Sequence, residues 1–466
     1  MEEPLGPEVA SDLLDLRDKP PEPLAASPQA LGVWELAWPT IVSFATQTAV
    51  RWADFAMVGS LGTDALAAVG LGGQVYWLVQ SVGALVPTGL VAVLARAIGA
   101  GDNDLADATL RQGLLLSTAI GLVITFALLP FCDFVIEIYG VEPSVVTYGS
   151  AYVFWLLWGT VPMATAMVFG TALRAAGDSR SPLYIGVLTN LVNLGLNWLL
   201  IYGNLGFPAL GVAGAAIASS ISMFLQIGLF LWLWRRGQFI LRRGTGSFRP
   251  DFALMRRLSI VGYPAAFEGV AFQVGLLLFQ RIMSVYGTAA IAAYNVGAQI
   301  LSLSFLPGIG FAAAAGTLIG QHLGNGSPDA AERSGWRAMV GAIISMSAMG
   351  GLVLLFREQL ARAFTDDPEV IRLTISFIWI LTVVQPMMAV EFAIGGALRG
   401  AGDTLFPLIV IFVGLFVCRL IPAVSMVTWW DVTVETVWCA LIADWTVKAG
   451  MLLVRYRNGK WKELEV

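Results

Sequence analysis

The chain has 466 residues, 57% of them hydrophobic and only 13% charged, with a formal net charge of −5 and a mean hydropathy of +0.75. Soluble domains carry nearer a quarter charged residues, so this much apolar surface fits a bilayer better than a single water-soluble core. The absence of ten-residue alternating runs argues against a transmembrane barrel. One histidine and three unclustered cysteines exclude a multi-histidine centre and a disulfide framework.

Residues 1–30 hold seven acidic and two basic side chains with several prolines. That is unlike a secretory signal or a transit peptide, and a disordered cytoplasmic tail is expected. Apolar segments long enough to span, about 20 residues each, follow at 33–58, 66–95, 109–131, 146–172, 182–203, 211–234, 259–286, 291–319, 334–356, 371–398, 405–428 and 434–454. They predict an all-α polytopic membrane protein with twelve transmembrane helices. The lone His322 falls in what reads as a polar loop.

Orientation follows from Lys and Arg beside the spans. Alternate loops hold Arg96 and Arg111, Arg174 and Arg180, a cluster from Arg235 to Arg257, Arg333 and Arg337, and Arg399. The intervening loops are neutral or acidic, apart from Arg357, Arg362 and Arg372, which four acids accompany. Both termini are therefore expected in the cytoplasm, in a bacterial-type inner membrane.

A shift of 225 residues aligns the two halves. GTDALAAVGLGGQ from Gly62 falls on GTAAIAAYNVGAQ from Gly287, and ALRAAGDSRSP from Ala172 falls on ALRGAGDTLFP from Ala397. Each repeat holds six spans, an even number, so both copies point the same way across the membrane and are expected to flank a central path. The expected divisions are an N-lobe at 31–234, a basic linker at 235–257, a C-lobe at 258–454 and a cytoplasmic tail at 455–466.

Charges within spans are costly and mark candidate sites. Here they are Arg51, Asp54, Glu268, Arg281, Glu391, Arg419, Asp444 and Lys448. Asp444 and Lys448 stand i, i+4 and are expected to pair. Arg51 and Asp54, at i, i+3, could also pair. Asn190, Asn193 and Asn197 share one helix face, where amides either glue helices or face a site. Glu268 and Glu391 lie at similar depth, about 12–14 Å in by helical rise, and are read as either a carboxyl pair or partners of Arg281 or Arg419. Met163, Met167, Met387 and Met388, with Gln47 and Asn190, are candidate walls of a repackable cavity. GAGDN at 99–103 and GNGSPD at 324–329 lack the phosphate-loop pattern, so nucleotide use is not expected. Nothing points to nucleic acid, a cofactor or more than one protomer.

The first-span pattern WPTIVSFATQTAVRWADFAMVGSLG, the twin LRxAGD loops, GVAGAAIAS and the tail RYRNGKW resemble the multidrug and toxic compound extrusion (MATE) family, in its DinF-like branch. The resemblance covers about residues 31–462. It implies two lobes in a V and export of small organic compounds, often cationic, in exchange for H⁺ or Na⁺. It implies a cation-coupling role for Asp54, a bend at Pro39 and, by the repeat, a second hinge at Pro264. The family places a carboxylate where Asn197 stands, so Asn193 and Asn197 are expected to tune Asp54 or to offer carbonyls to Na⁺, with Ser219 adding a hydroxyl. A Na⁺ site near Glu268 and Glu391 is the other candidate. A lipid-linked-sugar flippase of the same superfamily fits less well, since the deep charges balance and the spans number twelve. An intramembrane enzyme lacks the extramembrane domain it would want.

Overall fold

The computed structural model describes residues 32–241 and 248–464. The acidic tail and part of the basic linker lie outside them. Among the described residues all regular structure is helical. The spans are α1 Val33–Gly59, α2 Thr63–Gly99, α3 Asn103–Glu137, α4 Pro143–Leu157 with Thr160–Ala175, α5 Arg180–Tyr202 and α6 Gly211–Arg235. The second set is α7 Phe252–Tyr286, α8 Thr288–Gly324, α9 Pro328–Leu355, α10 Pro368–Ala401, α11 Leu405–Trp429 and α12 Val434–Arg457.

Ten of these helices are long and apolar enough to cross a membrane, and the bent α4 makes an eleventh. The twelfth, α1, has 27 residues, about 40 Å of helix. It is less apolar because Arg51, Asp54 and several threonines ride on it, and its repeat mate α7 is one of the ten. Helix starts follow their local chemistry. Asp251 accepts from the backbone N–H of Ala253 at 3.0 Å and Leu254 at 3.1 Å to open α7, and Asp102 accepts from Leu105 at 2.9 Å near the start of α3.

Three features differ from the sequence expectation. First, α4 bends by 50° between Leu157 and Thr160. The carbonyls exposed there are satisfied from neighbours. Ser220 donates to the Trp155 carbonyl at 2.8 Å, and Thr125 donates to the Leu157 carbonyl at 3.0 Å. Second, His322 is not in a loop. It is buried in the last turn of α8, because that helix runs on to Gly324. Third, the expected tail is packed as far as it is described, to residue 464. α12 continues to Arg457, a turn follows at Lys460–Glu463, and Trp461 is fully buried.

The prolines Pro39 and Pro264 divide their helices between the lobes. Before Pro39, Leu36 and Ala37 are buried in the core of the second repeat, beside Phe311, Ala314 and Met388. Before Pro264, Leu254 and Leu258 are buried in the core of the first, beside Leu90, Phe169 and Phe230. Beyond each proline the helix returns to its own repeat. Asp54 of α1 reaches Asn197 of α5, and Phe279 of α7 joins the second core. A proline lacks the N–H that would close the preceding turn, so each crossover sits where the helix is easiest to redirect.

The seam between lobes repeats itself with the sequence. Gly99 abuts the Gln321 backbone, and its mate Gly324 abuts the backbone of Arg96, the mate of Gln321. Gly262 likewise abuts Leu85, as Gly310 does Ala37. Side-chain hydrogen bonds across the seam fall at the same arginine-rich end. Among the described residues they include Thr317 to the Arg174 carbonyl at 3.3 Å and Gln321 to the Ala175 carbonyl at 2.8 Å. A side chain at Gly262 would meet backbone, which cannot move aside as a flexible side chain can. Gly262→Val is therefore expected to cost about 1–3 kcal/mol, read as a lower thermal-inactivation midpoint. An unchanged midpoint would refute the close crossing of α2 and α7.

Candidate functional site

Among the described residues two clusters of deep polar groups hold the candidate site residues, one per lobe, and they are built differently. In the first, Asp54 of α1 is partly exposed and accepts a hydrogen bond from the Asn197 side-chain amide of α5. That amide also reaches Asn193 Oδ1 at 3.3 Å. Asn193 and Asn197 are both buried, and the buried Asn197 Oδ1 has no hydrogen-bond partner. Arg51 does not close on Asp54. It is exposed, and no ion pair joins the two within 4 Å. A helical offset of i, i+3 allows such a pair, but α5 offers Asp54 a packed amide instead.

The other expected members of this lobe are spread more widely. Met163 is buried on α4 and accepts from the Tyr76 hydroxyl at 2.6 Å and the Gln80 amide at 3.5 Å. Gln47, Met167, Asn190 and Ser219 are half-buried, and the Asn190 amide nitrogen is buried without a partner. The sequence does not single out Tyr76 and Gln80 on α2, because nothing in an apolar span distinguishes a tyrosine turned toward a neighbouring helix from a belt tyrosine.

In the second lobe every deep acid has a cation. Glu268 of α7 pairs with Arg399 of α10. Glu391, also on α10, lies 3.7 Å from Lys448 of α12. Lys448 lies 3.1 Å from Asp444, as the i, i+4 spacing predicts, and Asp444 pairs with Arg419 of α11. Glu268 and Glu391 thus do not form a bare carboxyl pair, and neither meets Arg281 or Arg419. Arg281 instead reaches Ser284 at 3.4 Å. By sequence Arg399 reads as a loop charge. Its side chain turns back along α10, in the direction helical side chains lean, and so enters the span. The repeat gives no signal for this pair: Arg174 is the mate of Arg399, but Ser43 stands where Glu268 does.

Local backbone makes room for this network. Residues Val413–Leu420 of α11 are π-helical, a widened turn often found at functional sites. It carries the buried Arg419. A side chain at Gly414 would collide with Asp444 and Lys448. Met387 and Met388 stand behind the network. Met388 is fully buried in the core and Met387 packs against it, so Met388 is a core residue in this conformation. Among the described residues no three His, Cys, Asp or Glu side chains stand together as a metal cluster.

Two parallel six-helix repeats, crossed at one end and carrying charge in their spans, define a polytopic membrane transporter. The MatE family model matches residues 39–199 and 264–424, two stretches in the same 225-residue register, and the chain belongs to that family. It is similar to a "Probable multidrug resistance protein NorM" from Thermotoga maritima, 32% identical over 437 residues and covering 93% of each chain. "Multidrug resistance protein MdtK" from Klebsiella pneumoniae is 27% identical over 433 residues, 91% of this chain and 94% of that one. A solved structure described as the outward-facing conformation of a multidrug resistance MATE family transporter of the MOP superfamily matches with a TM-score of 0.87. It is 25% identical, over 95% of this chain and 98% of that one. The protein is a family transporter and not an enzyme.

Proposed function

We propose that the protein exports small organic compounds, drug-like and often cationic, in exchange for H⁺ or Na⁺ entering through the first lobe. The reading rests on Asp54. Of the four deep acids Asp54, Glu268, Glu391 and Asp444, it alone lacks a cation within 4 Å among the described residues. A carboxyl withdrawn from water and not neutralised internally has a standing demand for a mobile cation. A proton would meet that demand directly. Na⁺ would use the Asp54 carboxylate with the unpartnered Asn197 Oδ1. The named relatives are multidrug resistance proteins, which supports organic substrates. Arginine-rich loops support an orientation with the crossed ends of the lobes and both termini at the cytoplasm of a bacterial-type membrane.

The test is reconstitution in sealed vesicles with an ethidium-like dye, imposing a proton gradient and then a sodium gradient. Accumulation driven by one of them is expected and names the ion. Movement indifferent to both would overturn antiport.

A further inference from the structure

Arg96, near the cytoplasmic end of α2, is held by the opposite lobe. Its Nη2 donates to the carbonyl of Ala401 at 2.9 Å, the last residue of α10. Terminal carbonyls of a helix lack partners within the helix and sit at the negative end of its dipole. A cation is their natural cap. Nη1 donates to the Leu464 carbonyl at 2.7 Å, which lies beyond α12 in the packed C-terminal segment.

That segment is anchored to the second lobe by several contacts. Trp461 stacks on Tyr456 at 4.9 Å and 6°, and its indole N–H donates to the Tyr456 carbonyl at 2.8 Å. The Lys462 ammonium lies 2.6 Å from Glu332 on α9. The Tyr456 hydroxyl donates to the Glu332 carbonyl at 3.0 Å. Residues 460–464 therefore form a strap fastened to α9 and α12, whose free end is taken by an arginine of the other lobe. The repeat mate of Arg96 is Gln321, which caps Ala175 at the end of α4. That side of the seam has a neutral amide and one bond, where the Arg96 side has a charge and two.

We propose that Arg96 and the strap form a latch that holds the cytoplasmic side shut, so that opening the cleft inward requires Leu464 and Ala401 to be released together. The latch rests on the proposed export by two lobes, taken to open to one membrane face at a time, but not on which ion drives it. Hydrogen bonds to a charged group, exchanged for water, each shift a two-state equilibrium by about tenfold or more.

The test places spin labels at Arg180→Cys and Leu405→Cys. These are exposed repeat mates at the starts of α5 and α11. Cys132, Cys418 and Cys439 are replaced by alanine, and distances are measured by pulsed dipolar spectroscopy in vesicles. Arg96→Gln, and separately truncation after Gly459, are expected to raise the population with the long cytoplasmic distance by about tenfold or more. Arg96→Lys, which keeps the charge but cannot fork to two carbonyls, is expected to fall between. A native distance distribution in Arg96→Gln would overturn the latch, even if truncation lowers thermal stability, because the strap would then serve only to pack the second lobe. Dye accumulation in the same vesicles separates the readings: a shifted distance with ion-independent transport leaves the latch standing and removes antiport.

Discussion

Asp54→Asn is expected to abolish ion-driven accumulation of dye while leaving the protein folded. The substitution keeps the shape of the side chain, and the carbonyl of the introduced amide can still accept from Asn197, so the α1–α5 contact survives. What disappears is the capacity to hold a cation and let it go. A gradient of about one pH unit supplies about 1.4 kcal/mol per proton, enough for about tenfold accumulation by one-for-one exchange. The native protein should approach that ratio and the variant should equilibrate the dye without concentrating it. The same arithmetic applies to a tenfold Na⁺ gradient. Accumulation by Asp54→Asn at the native ratio would remove Asp54 from the coupling path and send the search to the second lobe.

Asp444→Asn should produce the largest loss of stability of any single conservative change. Asp444 is fully buried between Arg419 and Lys448, which are themselves 3% and 0% exposed. Neutralising it leaves Arg419 buried without a carboxylate and Lys448 with Glu391 alone. Breaking a buried ion pair by removing one partner costs about 3–5 kcal/mol, visible as a sharply lowered thermal-inactivation midpoint in detergent. Adding Arg419→Gln restores the balance, since Lys448 then keeps Glu391 at 3.7 Å. The double variant is expected to recover most of the loss. Strict additivity of the two changes would show that they do not act on one network.

The fold was legible because a membrane makes sequence periodicity unusually informative. Each span had to be apolar along its length, and the bounds read from hydropathy fall within several residues of the observed helices. The 225-residue register gave the architecture, and the seam confirms it through Gly99 and Gly324. Within the site, the Asp444–Lys448 pair was legible because helical spacing fixes which side chains meet. Contacts between helices were not. Glu268 could have met a carboxyl or an arginine, and the choice of Arg399 depends on α10 leaning against α7. Spacing also allowed Arg51 to pair with Asp54, and the neighbouring Asn197 displaced it. The π-helical turn in α11 left no mark beyond Gly414, whose meaning depends on the side chains packed over it.

The broken span α4 gives the two halves unequal mechanics. Its repeat mate α10 is continuous from Pro368 to Ala401, while α4 is two rods meeting at Gly159, with hydroxyls from α3 and α6 bracing the gap. A continuous rod transmits displacement from one membrane face to the other. A jointed one can absorb it locally, at the expense of trading a braced carbonyl for water. Were the halves to swing past each other, α10 would therefore act as a stiff lever and α4 would yield partway along. The yielding half is the one that holds Asp54, so in the proposed exchange an ion bound there need not be felt at the far face until the joint has straightened.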